Sequence, residues 1–279
     1  MVEVLVSAGP RKSPGRYEAD PASAELCEDC AGIAWVGQRP LLGLGDGASE
    51  AMVWPRLREA ETNASDGSKG LGFSTRALAK DLVQAFVSHA AAVVARGEEI
   101  PPNLAVNAIT ALALSWEERL NAYLSLVEAR GLRQRLLSQL PAAGKLDWSA
   151  TFTGGIFCPD TRRLTVWNFG NAGGLALRRP PEVIAPNTAY VTFRVWLERQ
   201  EPLRAHLSLC PLTDFTPGHY TDVEGFVLLT DGMERHRLEA LLTSLKDAPV
   251  ESLSDLRLAL LRKADLTWDD KSLVFGRFL

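Results

Sequence analysis

Glu28, Asp29, Asp46, Asp231, Asp269 and Asp270 all stand where an apolar run begins or ends. Leu41-Leu-Gly-Leu-Gly-Asp46-Gly47 and Gly225-Phe-Val-Leu-Leu-Thr-Asp231-Gly232 close in Asp-Gly, each ahead of a helix-forming segment, 49–60 and 233–246. Glu28-Asp29 and Asp269-Asp270 stand just before apolar runs instead. An Asp-Gly at a strand end carries a carboxylate to the edge of a sheet, where glycine lets the backbone turn sharply. A carboxylate beside a free backbone carbonyl offers oxygen ligands to a hard divalent cation. Taken singly, Asp-Gly is also the commonest hairpin turn. Its recurrence in the same setting is what points to a site.

The elements around these residues decide whether they meet. Residues 27–36 start acidic and become an apolar strand, Gln38-Arg39-Pro40 turns it, and 41–45 returns antiparallel to end at Asp46. Glu28, Asp29 and Asp46 therefore share one end of a hairpin. Residues 1–7 read as an edge strand, 74–96 as an amphipathic helix with Ser74 as N-cap and Gly97 at its end. Ser115-Trp-Glu-Glu118 has capping-box spacing and predicts a second long helix from there to Arg130, closed by Gly131, with a short helical piece over 132–140. Strands follow at 148–157, 163–169, 174–178 and 189–197, a polar loop at 199–222, a strand at 225–230, a helix at 254–263 and a last strand after Asp270. In an antiparallel arrangement the acidic ends gather at one rim. Four or more carboxylates there repel one another unless cations neutralise them. Oxygen donors without a histidine set favour Mg²⁺ or Mn²⁺ over zinc. Two such ions about 3.5–4 Å apart can acidify a water and clamp a phosphoryl group.

Composition excludes several other classes. The 279 residues, 46% hydrophobic and 23% charged, suffice for a sizeable core without staples. A net charge of −4 without a Lys/Arg cluster argues against nucleic acid. No apolar run approaches the ~20 residues of a membrane span, and the N-terminus lacks a signal-peptide pattern. A cytoplasmic location is expected. Cys27-x-x-Cys30 lacks a second pair or a nearby histidine, so zinc is not expected, and the four cysteines read as partly buried thiols. Gly170-Asn-Ala-Gly-Gly174 follows a strand but precedes no helix, which makes it a turn rather than a nucleotide loop. His89, His206, His219 and His236 are scattered and form no hydrolase triad.

The order Glu28-Asp29, Asp46-Gly47, Thr230-Asp231-Gly232 and Asp269-Asp270-Lys-Ser272 resembles the metal-dependent type-2C (PPM-type) protein serine/threonine phosphatases. It looks most like the bacterial branch in which Asp-Gly precedes Ala-(Ser/Thr)-Glu, here Ala48-Ser49-Glu50. The likeness extends to Trp148-Ser-Ala-Thr151 and Trp167-Asn-Phe-Gly-Asn171-Ala172, and so covers nearly the whole chain. It implies an α+β fold, a four-layer αββα sandwich of two antiparallel β-sheets flanked by helices, over a single domain 1–279. It further implies two Mn²⁺ or Mg²⁺ ions. Asp46 would bridge both, the Gly47 carbonyl would bind one, Glu28 or Asp29 would complete that ion, and Asp231 and Asp269 would hold the other. Asp46 and Asp231 are thereby the implied catalytic residues. Residues 28 and 29 point to opposite faces of a strand, so one of the two faces the metals, and the choice stays open. The implied activity is hydrolysis of phosphoserine and phosphothreonine by a two-metal-activated water. The implied partners are a phosphoprotein substrate and a cognate Ser/Thr kinase in bacterial signalling.

Three departures qualify this. The family's phosphate-holding arginine, four residues before Glu-Asp, is Ala24 here. Asn171 stands where many members have an Asp that can bind a third metal, and Ala48 where eukaryotic members often have a histidine. The core ligands are kept and the accessory residues lost, which implies reduced activity. The alternative expectation is a non-catalytic, phosphatase-like regulatory or binding module, and a third is a metal-stabilised structural protein.

Overall fold

The segment 39–47 needs a different neighbour on each side. Leu42 and Leu44 point one way, while Leu41, Gly43, Gly45 and Gly47 point the other. The computed structural model, which describes residues 2–9, 29–47, 57, 73–140, 145–178, 182–212, 215–230 and 271–278, supplies both neighbours. Its elements run β1 (Val2–Gly9), β2 (Asp29–Val36), β3 (Arg39–Gly47), α1 (Thr75–Ala95), α2 (Leu104–Ala129), α3 (Arg133–Gln139) and β4 (Lys145–Cys158). After these come β5 (Arg163–Phe169), β6 (Gly173–Leu177), β7 (Glu182–Ile184), β8 (Val191–Glu198), β9 (Arg204–Leu209), β10 (Gly218–Tyr220), β11 (Gly225–Leu229) and β12 (Lys271–Phe278). The expected helices at 49–60, 233–246 and 254–263 lie outside the described residues.

Two sheets form, and every strand pair in them is antiparallel. One has five strands in the order β1-β12-β11-β6-β7. The other runs β10-β5-β4-β3-β2, with β8 also pairing β4, and β9 pairing β8. The five-stranded sheet takes strands from both ends of the chain, and Val2 stands opposite Phe278. The fold class is α+β, as expected. Between the sheets lies an apolar cluster that includes Leu42, Leu44, Phe157, Phe226, Leu228 and Val274. A second core, between the seven-stranded sheet and the helices, is rich in rings. Trp116 lies edge-on to Trp148 and Phe193 at 5.4 and 5.5 Å, and Phe86 packs on Phe152 and Trp167.

Helix α1 is capped as its sequence predicts. Ser74 Oγ accepts from the Ala77 N–H at 3.1 Å, and Gly97 takes a φ of 69° just past the end. Leu78, Leu82, Phe86, Ala90 and Val93 form its buried stripe. Among the described residues α1 alone has the length and apolar character of a membrane span, contrary to the expectation that no segment has. Its stripe lies instead on β3, on the side where glycines leave room. A Cβ on Gly45 would sit 2.8 Å from the Ala79 carbonyl oxygen, and one on Gly47 2.7 Å from the Thr75 carbonyl carbon. The helix thus rests on bare backbone of the strand that ends in Asp46-Gly47.

Two expectations are corrected. Helix α2 begins at Leu104, not at Ser115. Seven of the eleven residues 104–114 are Ala or Leu, strong helix formers, and the buried set Leu104, Ala105, Ala108, Ile109, Leu112 and Trp116 continues one stripe through the supposed cap. Residues 199–222, expected as loop, contain β9 and β10. Strand β9 pairs with β8 on one side only. Its other edge bonds to side chains of α2: Glu117 accepts from Leu207 N–H, Asn121 exchanges two bonds with Ala205, and Glu128 accepts from Leu203 N–H. Polar groups on a helix finish this strand, so its own residues need not read as apolar.

The contact at Gly45 yields a test. Gly45→Ala places a methyl against the backbone of α1 and should cost about 1–3 kcal/mol, from overpacking that no side-chain rotation relieves. Urea unfolding should show a lower midpoint with an unchanged slope. A midpoint equal to wild type would mean that α1 does not rest on β3 as described.

Candidate functional site

Strand register sets the site. Asp29 stands directly opposite Asp46, and Asp46 directly opposite Thr151. Leu42 and Leu44 lie in the inter-sheet core, and Ala31 and Ile33 pack against it, so the alternation of both strands carries Asp46 and Asp29 to that same face. Of the adjacent pair, Asp29 is the residue placed with Asp46; Glu28 lies outside the described residues. Cβ atoms of opposed residues are about 4.5–5.5 Å apart, and like charges so placed destabilise a sheet. Asp29 is also only 7% exposed, which adds the cost of taking a carboxylate out of water.

The second sheet reaches the same point. Thr230, fully buried and one residue past the end of β11, donates its hydroxyl to Asp29 Oδ2 at 2.6 Å. This bond joins residues 201 positions apart and ties the five-stranded sheet to the seven-stranded one at the acidic rim. Asp231 follows Thr230 in the chain. Asp231, Asp269 and Asp270 lie outside the described residues, so their part in the site is untouched by these contacts. Gly47 occupies the last rung of β3, opposite Ala150. The backbone of Thr75 and Arg76 crowds the place of its Cβ, which reserves the position for glycine.

The crossing from β5 to β6 carries the chain from one sheet to the other beside this rim. Asn168, on the inter-sheet face, donates to the carbonyls of Ala172 (2.6 Å) and Ala185 (2.9 Å) and accepts from Thr153 Oγ1 at 2.6 Å. Gly170 turns with a φ of 82°. Gly170-Asn171-Ala172 is therefore a turn between sheets, as expected, with Asn171 exposed in it. The described histidines with resolved partners pair elsewhere. His206 pairs with Glu198 on the exposed side of β8 and β9. His219 on β10 meets Thr165 Oγ1 at 3.2 Å, and burial lowers its pKa from the ordinary value.

The donor set at the rim consists of carboxylate and hydroxyl oxygens, with a close-packed glycine at the strand end. Such oxygens are the donor type a hard divalent cation takes, though among the described residues no group of three or more His, Cys, Asp or Glu side chains comes together. Sequence reasoning did not single out Thr230, Thr151 or Asn168 as functional. The available signal was a polar residue at every second place of otherwise apolar strands: Thr151, Thr153 and Asn168 all face the other sheet.

The Thr230–Asp29 bond can be tested without any ligand. Thr230→Val keeps the shape and removes the donor, so unfolding in EDTA should show a loss of about 1–3 kcal/mol, as when a buried acceptor loses its partner. Thr230→Ser should retain most of the stability. Equal stability of the valine variant and wild type would show that the bond does not hold the sheets together.

Comparison with known proteins adds the fold. A scan of protein-family models and a search of curated proteins both found no match. Solved structures do match. Stp1, a serine/threonine phosphatase of Staphylococcus aureus, aligns with 100% of this chain and 96% of its own, at 12% identity and a TM-score of 0.51. The PP2C phosphatase domain of the Bacillus subtilis cell-fate determinant SpoIIE, with a fragment of its regulatory domain, aligns with 100% of this chain and 63% of that one, at 9% identity and a TM-score of 0.51. A structure from the bacterial stressosome, a modular system adapted to control secondary messenger signalling, covers 99% of this chain and 100% of its own, at 12% identity and a TM-score of 0.50. In fold, the chain is similar to the metal-dependent type-2C protein serine/threonine phosphatases.

Proposed function

We propose that the chain, as one domain over 1–279, is a Mn²⁺- or Mg²⁺-dependent phosphatase of phosphoserine and phosphothreonine in proteins, acting in the cytoplasm opposite a serine/threonine kinase. The observation that carries this reading is the opposed pair Asp29–Asp46 at a rim that Thr230 ties to the second sheet. Asp29, Asp46 and the Gly47 carbonyl, with Asp231 and Asp269 from the other half of the chain, are the residues that would hold two cations. When bound, such cations supply a water of lowered pKa and positive charge for a phosphoryl group. The chain's own part is to position. Thr230 fixes the Asp29 carboxylate, and the rungs of β3 against β2 and β4 fix the backbone of Asp46. The apolar inter-sheet core beneath the pair keeps water away from its inner side.

The second reading, a phosphatase-like regulatory module that binds metal without turnover, rests on Ala24 and Asn171. An Asn side chain offers a neutral oxygen and cannot offset a divalent charge as Asp does.

Hydrolysis of p-nitrophenyl phosphate and of a phosphothreonine peptide in Mn²⁺ separates the two. The phosphatase reading expects turnover that EDTA abolishes, and losses of roughly a hundredfold or more in Asp46→Asn and Asp29→Asn. Wild-type turnover in Asp46→Asn would refute the site. Mn²⁺ uptake without turnover in wild type would favour the regulatory module.

A further inference from the structure

Helix α2 is fastened to the fold along its inner side and open along its outer one. Trp116, Leu120 and Leu124 are fully buried, and Glu117, Asn121 and Glu128 bond to the backbone of residues 203–207. Ten of its side chains are exposed, and one of the ten is charged, Glu118. Leu114 and Leu126 are among them, 63% and 48% exposed. A solvated helix face is ordinarily polar. Helix α1 follows that rule, since its exposed side chains include Arg76, Lys80, Gln84 and Ser88 and no leucine. A single exposed leucine needs no explanation. The order of residues around these two does.

On its exposed side α2 reads the same in both directions from Leu120. Moving outward, Glu118 corresponds to Ala122, Ser115 to Ser125, Leu114 to Leu126 and Ala111 to Ala129. Three of these four correspondences are identities. At 3.6 residues per turn the positions lie within an arc of about 120°, on the side away from buried Leu120. Positions 111, 115, 118, 122, 125 and 129 alternate spacings of four and three, the seam of two helices packed at a shallow angle.

We propose that the outer face of α2 is an isologous dimer interface, on which a second copy of this chain packs its own α2 antiparallel. A two-fold axis makes each copy present the same patch, so that residue i meets j and j meets i. With the axis level with residue 120, the positions that come level are the ones that correspond in the sequence. Leu114 of each copy then lies level with the partner's Leu126, and the two leucines flank the seam. Glu118 comes level with the partner's Ala122 rather than with its own like charge. Residues 111–129 span about 27 Å and one helix width, less than the ~1,200 Å² in total of a standard interface. The dimer therefore belongs to the small, reversible class, with a Kd on the order of 10–100 μM. Helix α2 covers the core on the helix side of its sheet, whereas Asp29 and Asp46 face the other sheet, so the dimer leaves the acidic rim open.

The experiment uses the full chain. Sedimentation velocity from about 1 to 200 μM compares wild type with Leu114→Lys and Leu126→Glu. Wild type is expected to pass from monomer to dimer across this range. Each charged variant should raise the Kd at least about tenfold, because the two-fold axis repeats every change. Both leucines are exposed, so urea midpoints at low protein concentration should match wild type. Cysteines read the register. Under mild oxidation Ser115→Cys/Ser125→Cys should give a covalent dimer. Ser115→Cys alone should not, since its two copies would lie about 15 Å apart along the helices. A wild type that stays monomeric throughout overturns the proposal and leaves the face to another occupant or to none. A dimer that both charged variants preserve overturns it as well, and so does a Ser115→Cys chain that cross-links by itself.

Discussion

Two carboxylates held opposite each other on neighbouring strands, one of them buried, set the terms for the rest of this molecule. Asp29 and Asp46 share a rung of β2 and β3 and face the gap between the sheets. Nothing in an apolar core favours that arrangement, since both burial and mutual repulsion oppose it. Thr230 supplies one neutral donor from the opposite sheet. A hydroxyl relieves part of the desolvation and none of the repulsion. Repulsion between two carboxylates is of the sign that a divalent cation corrects, and this links the pair to the proposed activity.

The fold holds the pair in place through its backbone more than through its side chains. Gly45 and Gly47 leave β3 bare on its outer face, so α1 lies against the strand itself. The strand then has little freedom to shift along or away from its neighbours, and the Asp46 backbone is fixed from behind by α1 and from the sides by β2 and β4. Asn168 does the corresponding service at the crossing between sheets, where four of its bonding groups are used to pin the turn after β5. In both, the residue that does the holding is buried, Gly45 and Gly47 under α1 and Asn168 between the sheets.

Much of this was legible in the sequence, because the relevant signals are local. The hairpin of 27–46 follows from an acidic start, an Arg-Pro turn and an Asp-Gly end, and its register makes Asp29 the partner of Asp46. Helix α1 declared itself through Ser74 and Gly97. What stayed hidden depends on contacts between distant segments. Strand β9 is finished by Glu117, Asn121 and Glu128 of α2, so its own residues carry little strand pattern. Ser115 and Glu118 match a helix cap in spacing, yet the apolar stripe of α2 runs through them from Leu104. Thr230 and Thr151 look ordinary in the sequence until the fold shows that one donates to Asp29 and the other stands in the rung opposite Asp46. That Asp29 stands opposite Asp46 likewise needed the partner strand, because alternation fixes that residues 28 and 29 differ but not which faces inward.

The central claim is that the rim shared by the two sheets is a cation site built around Asp46. Anomalous diffraction from crystals soaked in millimolar Mn²⁺ tests it most directly. The account predicts one or two strong peaks beside the Asp46 and Asp29 carboxylates, with metal–oxygen distances of about 2.0–2.2 Å for a small hard ion, and none beside Asn171. A soaked crystal with no peak at Asp46, or with its strongest peak at Asn171, would contradict it.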